Sequence, residues 1–284
     1  MNRSAKPETA GGGSAEMNFG IYLMCLATIA AGMLDLIWRD FDPAHQPFGG
    51  FGYAIPGRVI FACIAGIWLV LAGVITLWPR TSRLGTFAMA AIYIVFALLS
   101  VPHFHTMLHR YGFHLTLFLG LVNQIFLQLI VVAGCIVLHT SLAPARIAYR
   151  PWLLARPPWL LARSFVGLCG ILTGIGHLAN TQSLASMIPK WMPLGPSACV
   201  VISGIGFILA GIAILTGILD LLAARLFVLM LLIFQIILVP IILEHPHVHQ
   251  AWGGTAYNLT VAGSICIFAA SIARRRSSSV LARA

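Results

Sequence analysis

A chain of 284 residues that is 60% hydrophobic and 8% charged, with a mean hydropathy of +0.94, carries about a third of the charge of a soluble domain, in which charged residues make up about 25%. That composition excludes a soluble enzyme, a nucleic-acid-binding domain, a disulfide scaffold and a disordered chain as the main body. The formal net charge of +10 reads as a membrane-topology signal and an attraction to anionic headgroups, with no nucleic-acid partner implied.

In chain order, residues 1–17 are polar and Gly-rich and read as a disordered cytoplasmic leader. No small-residue cleavage site follows a short apolar core, so this is not a cleavable signal. Eight continuous apolar runs follow, at roughly 19–38, 59–78, 84–104, 115–138, 164–181, 197–219, 226–243 and 253–273. Each is long enough to cross a bilayer as a helix, the form in which a single segment satisfies its own backbone in lipid. The runs do not alternate, so a β-barrel is not a competitor. The expected fold is all-α: a polytopic membrane protein with eight transmembrane helices. Between the fourth and fifth runs, 141–162 contains Pro151-Trp152-Leu153-Leu154-Ala155-Arg156 and then Pro158-Trp159-Leu160-Leu161-Ala162-Arg163. Trp and Arg in that rhythm suit a linker lying at the cytoplasmic interface, as an anchor or in lipid recognition. Residues 275–284 form a basic cytoplasmic tail.

Positive charge orients the spans. With a cytoplasmic N-terminus, alternation places Arg3, Lys6, Arg80, Arg83, Arg146, Arg150, Arg156, Arg163, Arg225, Arg274, Arg275, Arg276 and Arg283 inside. Only Arg39, Arg58, Arg110 and Lys190 remain outside, and both termini are cytoplasmic.

Self-comparison shows an internal repeat. Gly66-Ile67-Trp68-Leu69-Val70-Leu71-Ala72-Gly73 and Gly204-Ile205-Gly206-Phe207-Ile208-Leu209-Ala210-Gly211 share one frame, and Phe96, Val101 and Pro102 match Phe234, Val239 and Pro240 at the same offset. Gly32, Asp35 and Leu36 match Gly174, His177 and Leu178, while Asn123 matches Asn258 in a register that sets His114 opposite His249. Two tandem four-helix bundles, 18–140 and 163–274, are expected in the same orientation. The shared glycines suit close packing of helix backbones.

Nine of the ten histidines fall at outer span ends; His139 is the exception. His105 and His109 are i,i+4 and share a face if the helix continues. Glu244-His245-Pro246-His247-Val248-His249, if extended, points three imidazoles to one side. His245, His247 and His249 with Glu244, or His105 with His109, have the donor types for zinc or copper, and a histidine pair from the two halves suits haem. The same histidines also read as simple loop decoration, or as a proton or quinone hydrogen-bonding set. Asp35 and His177 are ionisable groups inside spans, and a pair across the pseudo-axis would suit catalytic proton transfer; the rival reading pairs Asp35 with Arg39 as a helix-end ion pair. Asn123, Gln124, Gln128, Gln235 and Asn258 read as interhelical hydrogen-bond glue. The six cysteines contain no CxxC pair and read as packing residues. No Walker, dinucleotide or GxSxG motif occurs.

The second half, with Gly174-Ile175-Gly176-His177, Pro189-Lys190-Trp191-Met192-Pro193 and Gly204 to Gly211, resembles the DoxX-like family of small four-helix bacterial membrane proteins. The first half follows more faintly: it has no Pro-x-Trp-x-Pro, and Asp35 stands in place of the histidine. The resemblance implies a multi-pass protein of the bacterial inner membrane, with the lipid bilayer around it. It also implies a quinone-linked redox protein or the membrane subunit of an oxidoreductase, with a redox protein as partner. Some relatives suggest disulfide handling, against which the lack of CxxC argues. The fold also looks like that of the emopamil-binding sterol isomerase group, whose set of intramembrane acids is missing here. The redox reading expects an outer-face pocket lined by Asp35, His177, His114 and His249 that binds quinone or contains a cofactor. A second class stays open: a non-enzymatic membrane partner, or a carrier of a small lipophile or metal.

Overall fold

The structure is a computed structural model that describes residues 9–43, 45–47, 55–142 and 156–281. Within these residues the chain consists of helices joined by turns and short connections, with no strand. The helices are α1 (Thr9–Trp38), α2 (Arg58–Leu77), α3 (Ser82–Tyr111), α4 (Leu115–Ser141), α5 (Arg156–Ala179), the single turn α6 (Thr181–Ala185), α7 (Pro196–Thr216), α8 (Asp220–Glu244) and α9 (His249–Leu281). All but α6 are long and apolar enough to cross a membrane, so the eight expected spans are all present.

Of the boundaries that differ from the sequence reading, three move the expected leader, linker and tail. Helix α1 already starts at Thr9, inside the expected disordered leader. There Glu16 accepts two hydrogen bonds from Arg225, at 2.9 and 2.7 Å, and Met17 is buried. Helix α5 begins at Arg156, so the second copy of the Pro-Trp repeat is helical rather than linker; its Trp159 stacks on Phe268, with ring centroids 4.8 Å apart. The first copy, at 151–155, lies outside the described residues. Helix α9 runs into the basic tail as far as Leu281. In each case a tertiary contact or an unbroken run of helix formers carries the helix past the edge of the apolar segment.

The long helices pack in a ring: α1 on α2, α2 on α3, α3 on α4, α4 on α5, α5 on α7, α7 on α8, α8 on α9, and α9 back on α1. Helices α4 and α9 also touch each other across the middle. The first helix of each half therefore packs against both its own second helix and the last helix of the other half; for α1 the larger contact is with α9, for α5 it is with α7. Helix α9 is the most enclosed span, 83% buried. Its small residues explain why. A Cβ added at Gly263 would lie 2.8 Å from Cβ of Met24 in α1, and one added at Gly134 of α4 would lie 2.6 Å from Cβ of Ser264. Such close approach is how helices adhere where lipid gives no hydrophobic drive.

The motifs that repeat in sequence make matching contacts. Gly32 of α1 meets the carbonyl of Gly66 in α2, and Gly174 of α5 meets that of Gly204 in α7. Gly73 packs on Ile29, and Gly211 on Ile171. Pro102 and Pro240 each lie within a helix near its far end. Gly217, with φ +82°, caps α7, a backbone shape that glycine adopts without strain.

The end of the ring that carries Glu16 and the start of α8 is laced by ion pairs. Arg163 reaches Asp220 at 3.3 Å, Arg276 also pairs with Asp220, and Arg225 holds Glu16. At the opposite end Arg58 pairs with Asp40 at 2.5 Å. We refer to these as the terminal end and the far end.

Gly263→Leu is expected to destabilise the protein by about 1–3 kcal/mol or to block folding, because the added side chain meets α1 directly. Gly120→Ala, where nothing lies within 4 Å of a new Cβ, should unfold at the wild-type temperature or slightly above. Thermal unfolding in mild detergent distinguishes the two.

Candidate functional site

The far end of α1 and the segment after it build the most polar interior of the described chain. Helix α1 stops at Trp38, and Arg39 takes a left-handed backbone, φ +52°, that turns the chain back toward the bundle. Phe41, buried, anchors the turn, and Asp42, His45 and Gln46 follow it inward. The Gln46 side chain clamps both sides of the turn. Its Nε2 donates to Oδ2 of Asp35 at 2.6 Å, and its Oε1 accepts from the Asp42 backbone N–H at 2.9 Å. Nδ1 of His45 lies 2.9 Å from Oδ2 of Asp42. Nε2 of Gln128, on α4, donates to the His45 carbonyl at 2.5 Å. The His45 ring stacks on Tyr257 of α9, with centroids 4.3 Å apart. Gly253 is what admits Asp42: a Cβ there would lie 2.7 Å from its carboxyl carbon.

Asp35, 1% exposed, is the centre of this cluster. Its Oδ1 lies 3.9 Å from Nε2 of His249, at the start of α9. That gap is too long for a hydrogen bond. Neither atom has a hydrogen-bond partner in the structure, and both are shielded from solvent. The His249 ring stacks flat on Trp38, with centroids 4.9 Å apart and planes 6° apart, which fixes its direction toward the carboxylate. Beside the pair, Asp42, Gln46, Gln128, Tyr93 and Tyr257 border a cavity of about 10 Å³, room for roughly one water. Oε1 of Gln128 and the Tyr257 hydroxyl are buried there without a partner in the structure. Buried polar atoms left unpaired are rare, and several together mark a place where water, a ligand or a shared proton completes the network.

The residues singled out in the sequence fall in different places. Asp35 and His249 meet. Asp35 and His177 do not pair: α1 and α5 lie on opposite sides of the central α4–α9 contact, so neither helix carries its group across the pseudo-axis. The His177 ring lies 5.1 Å from Phe207 and 6.1 Å from Phe234, with Nδ1 2.9 Å from the Thr173 carbonyl. Nor does Asp35 pair with Arg39, because the helix ends before the i+4 position and Asp35 turns to Gln46. His114 stands exposed at the N-terminal edge of α4, away from the cluster.

The expected metal set separates as well. Residues 245–248 form a turn, closed by the Val248 N–H donating to the His245 carbonyl at 3.1 Å, rather than an extended run. Glu244, His245 and His247 are therefore exposed, while His249 points inward from α9. His105 and His109 do share a face, with rings 6.4 Å apart, because α3 continues to Tyr111, yet both are exposed. Among the described residues no three His, Cys, Asp or Glu side chains come together in a way that could hold a metal ion. Among the described residues the expected donor sets are therefore not gathered into a metal centre.

Asn123 does act between helices, accepting from the Thr173 hydroxyl at 3.1 Å. Gln128 instead ties α4 to the turn after α1. The sequence assigns no functional role to Asp42, Gln46 and Tyr257 and marks Gln128 only as interhelical glue, since nothing in their spacing tells that Asp42, His45 and Gln46 turn inward. The only sign was a polar, acidic Asp40-Phe41-Asp42-Pro43-Ala44-His45-Gln46 segment beside an intramembrane acid. Comparison of the chain with protein-family models, curated proteins and solved structures gives no match.

Gln46→Leu leaves Asp35 without its hydrogen-bond donor and is expected to cost about 1–3 kcal/mol of stability. Adding Asp35→Leu to that variant should recover much of the loss, since removing both partners leaves no unpaired group. Unfolding of the two variants in the same detergent measures the difference.

Proposed function

We propose that this chain is a DoxX-like protein of the bacterial inner membrane, built by tandem duplication of a four-helix unit, with both termini in the cytoplasm. The terminal end then faces the cytoplasm and the Asp35 cluster faces the periplasm. Three observations support this reading: the excess of Lys and Arg in terminal-end segments, the matching glycine contacts of α1–α2 and α5–α7, and a ring in which the long-helix contacts of one half have their counterparts in the other.

The reading of its chemistry rests on one observation: a buried carboxylate oxygen and a buried imidazole nitrogen, 3.9 Å apart and each without a hydrogen bond. Leaving both unpaired in a dry interior is costly unless a proton or ligand is shared there. We infer quinone-linked redox chemistry in which the far end opens beyond its one-water cavity to bring the ring carbonyl of a quinone or quinol to this pair. A carboxyl–imidazole pair can donate and accept protons, which is the chemistry that quinone reduction or quinol oxidation needs. Asp35 holds or releases the proton at its Oδ1, and His249 does so at Nε2. Gln46 and Trp38 keep the two aligned, and the Asp42–His45 pair offers a second carboxylate–imidazole step beside them. Electrons would pass to or from a redox protein partner at the far face.

Two measurements test the proposal. Reporter fusions at Gly112 and Gly217 should show the first exported and the second cytoplasmic; the reverse pattern overturns the topology. A short-chain ubiquinone analogue should bind the detergent-purified protein, and Asp35→Asn and His249→Ala should each weaken binding at least tenfold. A folded wild type that binds no quinone, or variants that bind it equally well, overturns the redox reading and favours the carrier or partner role.

A further inference from the structure

A separate cleft opens at the terminal end, between α4, α5 and α9. Its volume is about 110 Å³. Thr140 and Ser141 close one side, Trp159 another, and Ser271, Arg274 and Arg275 the third. No carboxylate lines it. Among the described residues the acids of this end are engaged elsewhere: Asp220 takes Arg163 and Arg276, and Glu16 takes Arg225. Among the described residues no carboxylate pairs with Arg274 or Arg275. Arg275 is also held in place. Its guanidinium lies 4.4 Å from the Trp159 ring centroid, and Trp159 is in turn stacked on Phe268. A cation on an aromatic shelf, with a second arginine one residue away, is a preorganised anion receptor. Its depth is telling too. Helix α4 ends at Ser141, the α5 span begins at Pro158 and the α9 span ends at Ser278, so the cleft sits where the apolar spans stop. Headgroup phosphates occupy that level of a bilayer.

We propose that this cleft binds the phosphate of an anionic lipid, with Arg274 and Arg275 on the phosphate oxygens, Trp159 fixing Arg275, and the Thr140, Ser141 and Ser271 hydroxyls at the rim. The hydroxyls donate to carbonyls of their own helices in the free protein. Each can turn to a ligand oxygen by rotation about one bond. Basic clefts between transmembrane helices recognise lipid headgroups in this way. The site is independent of the Asp35 cluster at the other end of the bundle.

The full-length protein in mild detergent provides the test, by thermal unfolding with added phosphatidylglycerol, phosphatidylcholine or inorganic phosphate. Phosphatidylglycerol is expected to raise the unfolding temperature by several degrees and phosphatidylcholine to leave it unchanged. An equal rise with inorganic phosphate would assign the site to free phosphate; no rise with it assigns the site to the lipid. The double variant Arg274→Ala/Arg275→Ala should lose the shift, while Arg110→Ala/Lys190→Ala, with charges removed from the far end, should keep it. If the first double variant does not fold, Arg274→Gln serves in its place and should weaken the apparent lipid affinity at least fivefold. Equal effects of the two lipids, or a shift that survives loss of the arginines, overturns the proposal.

Discussion

Close approach of small residues between helices is the constraint on which the rest depends. In lipid, exchanging a helix–lipid contact for a helix–helix contact brings no hydrophobic gain, so association rests on dispersion at short range. Gly20 and Gly263 bring α1 onto α9, Gly32 and Gly66 bring α1 onto α2, and Gly134 brings α4 onto Ser264 of α9. Each is a place where even a methyl group has no room. These contacts make α9 a central column, and Asp42 and His45 at the far end are positioned against it.

That column explains how a charged turn comes to lie inside the bundle. Asp42 occupies space left by Gly253, and His45 stacks on Tyr257, both residues of α9. Gln128 reaches the same turn from α4. A membrane interior tolerates polar side chains where they satisfy one another, and Asp35, Gln46, Asp42 and His45 do so in sequence, up to the unpaired edge that faces His249. The polarity of this corner is thus largely self-contained, with one gap. A gap of this kind is what a proton-handling site needs: two groups near enough to exchange a proton with a third party and not already bonded to each other.

The two halves share a frame and differ at this point. His249 opens α9 and is half-buried, with its Nε2 shielded beside Asp35 of α1, whereas His114, at the matching register, stands at the N-cap of α4 and is exposed. His177, at the position matching Asp35, packs between Phe207 and Phe234, with its Nδ1 at the Thr173 carbonyl. The polar site belongs to the first half, completed by the last helix of the second. Matching glycine contacts hold both halves, while among the described residues the Asp35 cluster carries its charge into the interior of one.

Much of this architecture was legible in the chain itself. Eight apolar runs determined eight spans, because a helix is the form in which one segment can satisfy its backbone in lipid. The alignment of Gly66 and Gly204 pointed to equivalent close contacts, because only glycine leaves room for them. Asp35 stood out as an acid inside a span. Its partner did not. Spacing suggested His177 or Arg39, whereas folding brought His249, from the opposite end of the sequence, to Asp35 and turned His245 and His247 away from it. Local periodicity says which face of a helix a residue occupies, and hydropathy says whether that helix lies in the membrane. Which helix comes to lie against that face, and whether a loop folds inward or outward, is set by packing between segments far apart in the chain. The tertiary structure alone decided those.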